Sequence, residues 1–349
     1  MHPEIATTLV LTNSQEAVDG YSTVSSNVFE GYKHFGTRSS IRNIRPSIHN
    51  LKSLYFSSLG YFGVLFDVPV LASYIARHRI KTLVCACEHY AVVAYLLSFV
   101  FKLNYIVIAH GTYGNVLPRK HMLFRKAFER AKVVVCVSQY TKAKVASVCD
   151  ANVETIGNGI DKDKFKYDPN VEKTNSILFV GNAKKRKGLK ELLDALLRLP
   201  EETLSKFQLK IVGMTQKEFA NFAGRNGVQI SAEVLCFRFI EIDELVKLYQ
   251  SSFLNVLVSQ EEDGHFEGFG LVHAEAISCG TFTIGALNSG NVDVISADNG
   301  LLVDPLDTKA LSAAIEQLLN DEKVPMPQDR AAILGWDQVK QRYEQTIFA

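Results

Sequence analysis

Short runs of β-branched and aliphatic residues recur along the whole chain of 349 residues, and helical stripes lie between them. The runs are TTLVL (7–11), TLVCA (82–86), YIVIA (105–109), VVVCV (133–137), ILFV (177–180), LKIV (209–212) and FLNVLVS (253–259). Residues apolar on both faces mark strands buried between two layers, as in a parallel sheet. Leu189, Leu192, Leu193, Leu196 and Leu197 fall at i, i+3, i+4, i+7 and i+8, one apolar stripe of a helix. Leu311, Ile315, Leu318 and Leu319 repeat that spacing. Strand and helix alternating from end to end predict an α/β protein with open, doubly wound parallel sheets.

The sheets divide into two sets. The segment IGNGIDKDKFKYDPNVEKTNS (156–176) is rich in Gly, Asn, Asp and Lys, and it separates a finished strand (VETI) from a fresh one (ILFV). Each side then has enough chain for its own core. The expected division is a Rossmann-like domain over 1–165, a second over 166–335, and a terminal helix over 336–349. Two such halves are expected to face each other across a central cleft. Open α/β sheets take ligands at the carboxyl ends of their strands, so the chemistry belongs in the loops that follow strands.

Charge narrows the partners. Lys and Arg (38) nearly balance Asp and Glu (37), which argues against a general nucleic-acid binder. The halves differ: residues 1–170 carry 20 basic and 12 acidic side chains, residues 171–349 carry 18 and 25. Gly31 to Phe66 holds Lys33, Arg38, Arg42, Arg45 and Lys52 without an acid, which suits an anionic partner or an anionic membrane surface. The segment PRKHMLFRKAFERAK (118–132) reads as one amphipathic basic helix with Leu123, Ala127, Phe128 and Ala131 on its apolar side. The longest near-apolar run, Ala91 to Phe101, is far short of the ~20 residues a spanning helix needs. The start, MHPEIATTLVLTNSQ, has no basic n-region, and six scattered cysteines do not form a disulfide scaffold, so a cytoplasmic protein is expected.

The segment VLVSQEEDGHFEGFGLVHAEAISCG (256–280) carries the most chemistry. A strand ends near Ser259, an acidic glycine-containing loop follows, and a helix starts near Gly270. Unpaired amides and the positive end of the helix dipole make its start an anion cradle. Glu267 sits on the lip of that cradle and Glu275 about two turns further on. Carboxylates beside a phosphate site need neutral hydrogen-bond donors, and sugar hydroxyls are the natural ones. The spacing therefore suits a nucleotide-sugar, although an acidic helix cap and a surface Glu would leave the same pattern.

FEGFGLVHAEAISCG resembles the E-x7-E signature of retaining glycosyltransferases with the GT-B fold, the family 4-like "group 1" transferases. Other segments match that family in order. They are HGTY (110–113), VVVCVSQYTK (133–142), IGNGIDKDKF (156–165), ILFVGNAKKRKGLKELLDAL (177–196) and NGLLVDP (299–305). The resemblance implies that the C-terminal half binds a UDP- or GDP-linked sugar and the N-terminal half a glycan or lipid-linked acceptor. It gives Glu275 the ribose hydroxyls. Glu267 and the segment Gly268, Phe269, Gly270 and Leu271 take the sugar and the diphosphate. Lys184 to Lys187 would neutralise the leaving group, with Lys187 as the lysine of the family's Lys-Gly pair; Asn182 stands where an arginine is usual, and Arg186 could supply that charge. His110 matches the active-site histidine near the sugar. Gly20, expected in the loop after the first strand, lies near the donor phosphates.

Helix-terminal amides and cations can carry the departing diphosphate without a metal, so no metal and no other cofactor is expected. The implied activity is a metal-independent, retaining hexosyl transfer in glycan or polysaccharide assembly, at the cytoplasmic face of a membrane or in the cytoplasm. The "sGG-x-x-D" loop resembles Asn288, Ser289, Gly290 and Asp293 with one glycine missing, and Arg238 stands where a glycine is common near the base. His273 reads as a packing residue, and Cys85, Cys87 and His89 as a weak candidate metal trio lacking a fourth ligand. Two alternatives compete. A nicotinamide oxidoreductase needs G-x-G-x-x-G after the first strand, and TTLVLTNSQEAVDG has none. A catalytically inactive GT-B nucleotide-sugar-binding protein would keep the fold without turnover.

Overall fold

The computed structural model describes residues 3–12, 20–36, 65, 67–320, 326–327 and 333–349. The chain forms two compact units: Met1–Asn158 together with Trp336–Ala349, and Gly159–Gly335.

The first unit is built on six parallel strands: β1 (Thr8–Thr12), β2 (Lys33–Gly36), β3 (Thr82–Cys85), β4 (Asn104–Ala109), β5 (Val133–Cys136) and β6 (Val153–Thr155). Their order across the sheet is β2-β1-β3-β4-β5-β6. Register runs Leu9↔Leu83 and Val84↔Ile106, so the apolar runs of the sequence line up as one buried layer. Among the described residues the helices are α1 (Gly20–Val28), α2 (Val68–His78), α3 (Ala91–Phe101), α4 (Thr112–Lys120), α5 (Met122–Arg130) and α6 (Gln139–Ala146). Gly20 is the first residue of α1, not a loop residue.

The expected single basic helix over 118–132 is two helices. Pro118 lies in the last turn of α4, and His121 leaves helical geometry at φ −133°, ψ 113° before α5 restarts at Met122. Proline tolerates its own helical φ but weakens the turn around it, and the chain breaks there. Phe124, Ala127 and Phe128 are the buried face of α5, with Leu123 only partly covered.

The second unit also has six parallel strands: β7 (Thr174–Val180), β8 (Gln208–Val212), β9 (Glu233–Phe237), β10 (Ser252–Leu257), β11 (Phe282–Ala286) and β12 (Gly300–Val303). They are ordered β12-β11-β10-β7-β8-β9. Around them lie α7 (Leu189–Leu196), α8 (Glu201–Leu204), α9 (Gln216–Arg225), α10 (Ile242–Ser251), α11 (Leu271–Ser278) and α12 (Thr308–Leu319). Leu189, Leu192, Leu193 and Leu196 are buried as the stripe predicts, but Leu197 is the C-cap and is 43% exposed. Leu311 and Ile315 face the core, with Leu318 and Leu319 packed at its margin.

The division falls at Asn158/Gly159, earlier than the expected position after residue 165. The reason is local pairing. Ile160 bridges Gly335 and its N–H donates to the Leu334 carbonyl at 3.0 Å, while Phe165 is buried edge-on against Tyr249 at 6.2 Å. These contacts tie residues 160–165 to the second unit.

Helix α13 (Trp336–Phe348) belongs to the first unit. Val339, Tyr343 and Ile347 form its buried face, and Tyr343 packs edge-on against Phe29, the residue just after α1, at 5.7 Å. Lys132 Nζ donates to the Ile347 carbonyl at 3.1 Å and Thr346 Oγ1 to Glu154 Oε2 at 3.0 Å, so the last turn of the helix is pinned to the first unit.

Candidate functional site

In the second unit the strand order reverses between β7 and β10, so the chain runs outward from these two neighbours to opposite edges of the sheet. Such a switch point opens a crevice at the strands' carboxyl ends. The basic loop follows β7 and the acidic, glycine-rich loop follows β10, and they meet there.

Backbone geometry makes that meeting close. Lys185–Lys187 form a 3-10 turn that ends on Gly188 at φ 73°, ψ 22°, and a Cβ at Gly188 would run into the Val258 carbonyl. Gln260 fastens the two loops: its N–H donates to the Arg186 carbonyl at 2.9 Å, and its Nε2 donates to the Lys185 carbonyl at 3.1 Å and to Glu191 Oε1 at 2.9 Å. Nothing in the sequence singled out Gln260. Asn182 is exposed, and its Oδ1 accepts the Lys184 N–H at 3.2 Å, a local turn at the start of the basic loop.

Glu267 lies between the two loops. Its Oε2 accepts from Lys187 Nζ at 2.5 Å, from Arg186 Nη1 at 3.0 Å and from Ser259 Oγ at 3.4 Å. Only 19% of the Glu267 side chain is exposed. Burial alone would push this carboxyl's pKa up, but the charges of Lys187 and Arg186, with the hydrogen bonds from both, outweigh it and hold the pKa at about 2. Two residues of the basic loop are thereby fixed on one carboxylate oxygen.

Gly268, Phe269 and Gly270 carry the chain into α11. Gly270 adopts φ 96°, ψ 54° and no side chain caps the helix. Leu271 is its first residue. Gly290 donates its N–H to the Glu267 carbonyl at 2.9 Å and packs so closely on Gly268 that a Cβ there would collide with its backbone. Ser289 caps the short turn Gly290–Asp293 and donates to the Ala286 carbonyl at 3.1 Å, while Asn288 is exposed.

Glu275 is half-buried on the second turn of α11, and its Oε2 accepts the Tyr249 hydroxyl at 2.9 Å. Burial pushes its pKa up to about 7, with the tyrosyl hydrogen bond acting in the opposite direction. His273 on the same helix is fully buried, with Nδ1 at 2.6 Å from Thr283 Oγ1 and Nε2 at 3.2 Å from the Leu257 carbonyl. Burial lowers its pKa to about 4, so it packs as a neutral ring. Arg238 does not stand alone: Nη1 donates to both oxygens of Glu218, at 2.8 and 3.0 Å, and Glu218 also closes the capping box of α9.

The first unit holds the other candidates. His110 follows β4; its Nε2–H donates to the Ala86 carbonyl at 2.9 Å and its backbone N–H to Glu88 Oε1 at 2.8 Å. Glu88 is a fully buried carboxylate just past β3 that sequence reasoning did not single out. Gly111, at φ 142°, begins α4 beside it. Cys87 Sγ lies 3.1 Å from His89 Nδ1, and burial lowers the His89 pKa to about 4. Among the described residues no three His, Cys, Asp or Glu side chains are grouped to share a metal ion. The chain's Asp-x-Asp spacing, Asp161-Lys162-Asp163, is a turn element: Asp161 Oδ1 accepts the N–H groups of Asp163 and Lys164, both at 3.2 Å. Arg38, Arg42, Arg45 and Lys52 lie outside the described residues, and Lys33 donates to the Ala6 carbonyl at 3.1 Å. Among the described residues no helix is long and apolar enough to cross a membrane.

Two Rossmann-like parallel sheets with a basic turn and an uncapped helix at the switch point of the second define the GT-B class of α/β folds. Solved structures of that architecture align over nearly the whole chain. A sucrose-phosphate synthase from Thermosynechococcus elongatus matches with a TM-score of 0.74 at 18% identity, covering 97% of each chain. The Anabaena protein HepE, solved in complex with UDP, matches with the same TM-score and identity over 98% of this chain and 99% of its own. The sequence matches the Glycosyl transferases group 1 family over residues 160–333 and Glycosyltransferase Family 4 over residues 30–164. The chain belongs to the group 1 glycosyl transferase family. It is similar to N-acetyl-alpha-D-glucosaminyl L-malate synthase of Bacillus anthracis, with 27% identity over 67% of this chain and 64% of that protein. It is also similar to GDP-mannose-dependent alpha-(1-6)-phosphatidylinositol monomannoside mannosyltransferase of Mycolicibacterium smegmatis, with 26% identity over 65% of this chain and 61% of that one. The matched region thus spans somewhat less than two thirds of the length of these relatives.

Proposed function

We propose that this chain is a retaining, metal-independent glycosyltransferase that moves a sugar from a UDP- or GDP-linked donor to a glycan or lipid-linked acceptor in glycan or polysaccharide assembly. The observation that carries the reading is the cluster of Glu267, Arg186 and Lys187 beside the uncapped start of α11. A departing diphosphate needs positive charge already in place, because preorganised charge costs no reorganisation during the reaction. Arg186 and Lys187 supply two cations at the switch point, and the amides of Phe269, Gly270 and Leu271 supply helix-end dipole. In this reading Glu267 also receives hydroxyls of the transferred sugar and Glu275 those of the ribose. Asn182, which stands in the family's arginine position, shapes the loop while Arg186 provides the charge.

The first unit takes the acceptor. His110 has the family's position for the histidine near the sugar, and its ring is oriented by the Ala86 carbonyl. Gly20 lies where the family approaches the donor phosphates, and the basic excess of residues 1–170 suits an anionic acceptor or an anionic lipid surface. The relatives named for GDP-mannose and the neighbour bound to UDP support both donor classes.

The test is turnover. The chain is incubated with a panel of UDP- and GDP-sugars without acceptor, and release of the nucleotide is followed for wild type, Glu267→Ala and His110→Ala. The expected result is slow hydrolysis of one donor by wild type, lost in Glu267→Ala. Release at equal rates in wild type and Glu267→Ala would refute the catalytic assignment.

A further inference from the structure

The hydroxyl of Tyr249 is the donor that Glu275 has in this structure, and three features fix where that hydroxyl lies. Tyr249, in the last turn of α10, is fully buried. Its ring meets Phe165 edge-on at 6.2 Å. Its carbonyl accepts from Thr281 Oγ1, which in turn receives Lys173 Nζ at 2.6 Å. A phenol held at ring and backbone delivers its O–H to one place, and that place is Glu275 Oε2 at 2.9 Å. Among the described residues no other group donates to the Glu275 carboxylate.

We propose that Tyr249 is a positioning residue: it occupies one oxygen of the Glu275 carboxylate and presents the other to the two ribose hydroxyls of the donor nucleotide. This rests on the reading of Glu275 as the ribose acceptor. A carboxylate on a helix turns about its side-chain bonds, and a hydrogen bond from a rigid partner selects one orientation before ligand arrives, which lowers the ordering cost of binding. The same bond favours the ionised carboxylate against a burial that drives it toward the neutral acid. Hydrogen bonds to an ionised acceptor are about twice as strong as neutral ones, so the tyrosine strengthens the contact it does not itself make.

The experiment separates positioning from packing. Affinities of UDP and GDP are measured by calorimetry, and the tighter nucleotide is paired with its 2′,3′-dideoxy form, which lacks both hydroxyls. Wild type is expected to bind the dideoxy form at least about tenfold more weakly, the size of a lost charged hydrogen bond. Tyr249→Phe keeps the ring and removes the hydroxyl. It should bind the ribose form about five- to tenfold more weakly than wild type and the dideoxy form within about twofold, a control that also reports a folded site. If Tyr249→Phe loses both ligands equally, or neither, Tyr249 is not a positioning residue while the ribose role of Glu275 stands. If wild type does not distinguish the two forms, or binds neither UDP nor GDP, the reading of Glu275 fails and the role of Tyr249 with it.

Discussion

Replacing Glu267 with Gln keeps the shape of the side chain and removes its charge, leaving Arg186 and Lys187 facing a neutral amide. Glu267 has a folded-state pKa of about 2 against an ordinary value of 4.5. That depression amounts to about 3 kcal/mol of stability at neutral pH, good to order of magnitude. The sign follows from the direction of the shift. A depressed pKa stabilises the fold fully above pH 4.5 and loses that contribution as pH falls toward 2, because the unfolded chain takes up the proton first. At pH 3.5 about 2 kcal/mol should remain. Thermal unfolding followed by circular dichroism should show Glu267→Gln lowered by about 6–12 °C at pH 7, for a domain in which 1 kcal/mol is worth about 2–4 °C. The gap from wild type should narrow at pH 3.5. Inorganic pyrophosphate should raise the melting temperature of Glu267→Gln more than that of wild type, since it then meets two cations without a competing carboxylate. A variant that melts with wild type at pH 7, or whose deficit is independent of pH, would refute the idea that this carboxylate is held by Arg186 and Lys187.

Two further outcomes test other parts of the site. Gly270→Ala places a Cβ at φ 96°, with Asn291 Oδ1 only 2.5 Å and His273 Cδ2 only 3.1 Å away, so it should destabilise the protein by about 1–3 kcal/mol in urea unfolding; an unchanged midpoint would show that the helix start is not constrained there. Glu275, whose pKa is raised to about 7, contributes stability that is complete below 4.5 and disappears as pH rises through 7. Glu275→Gln should therefore melt higher than wild type at pH 8 and equally at pH 4, while its nucleotide affinity falls; a lower melting temperature at pH 8 would refute the burial argument.

The chain's periodicity carried the architecture. Runs such as YIVIA and ILFV are short, apolar on both faces and rich in β-branched residues, which suits a strand between two layers, so β4 and β7 were readable without coordinates. Local stereochemistry carried part of the site as well. The glycine after Phe269 and the one after Lys187 are legible as points of special backbone, and the structure shows Gly270 and Gly188 at positive φ against neighbouring atoms. Other readings failed where one local signal was allowed to outrank another. The stripe over 118–132 was periodic enough for a helix, yet Pro118 was a signal in the sequence that the chain would break. Leu197 continued a leucine spacing but fell beyond the last turn of α7, where spacing no longer decides burial. The domain boundary slipped because a Gly- and Asp-rich segment looks like linker, whatever distant residue it goes on to bridge, here Ile160 with Gly335.

Pairings between distant residues belong to the tertiary structure alone. The motif singled out Glu267, Arg186 and Lys187 separately, but that all three meet on one oxygen depends on β7 and β10 being neighbours in the sheet. Gln260, Tyr249 and Glu88 are common polar residues whose sequence surroundings carry no mark. Each gains its place from burial and from partners between 22 and 75 residues away. Periodicity and backbone sterics act over one or two turns of chain, and sequence records them directly. Hydrogen bonds and ionisation depend on the distance between atoms in space, which is set only once the strands have found their order.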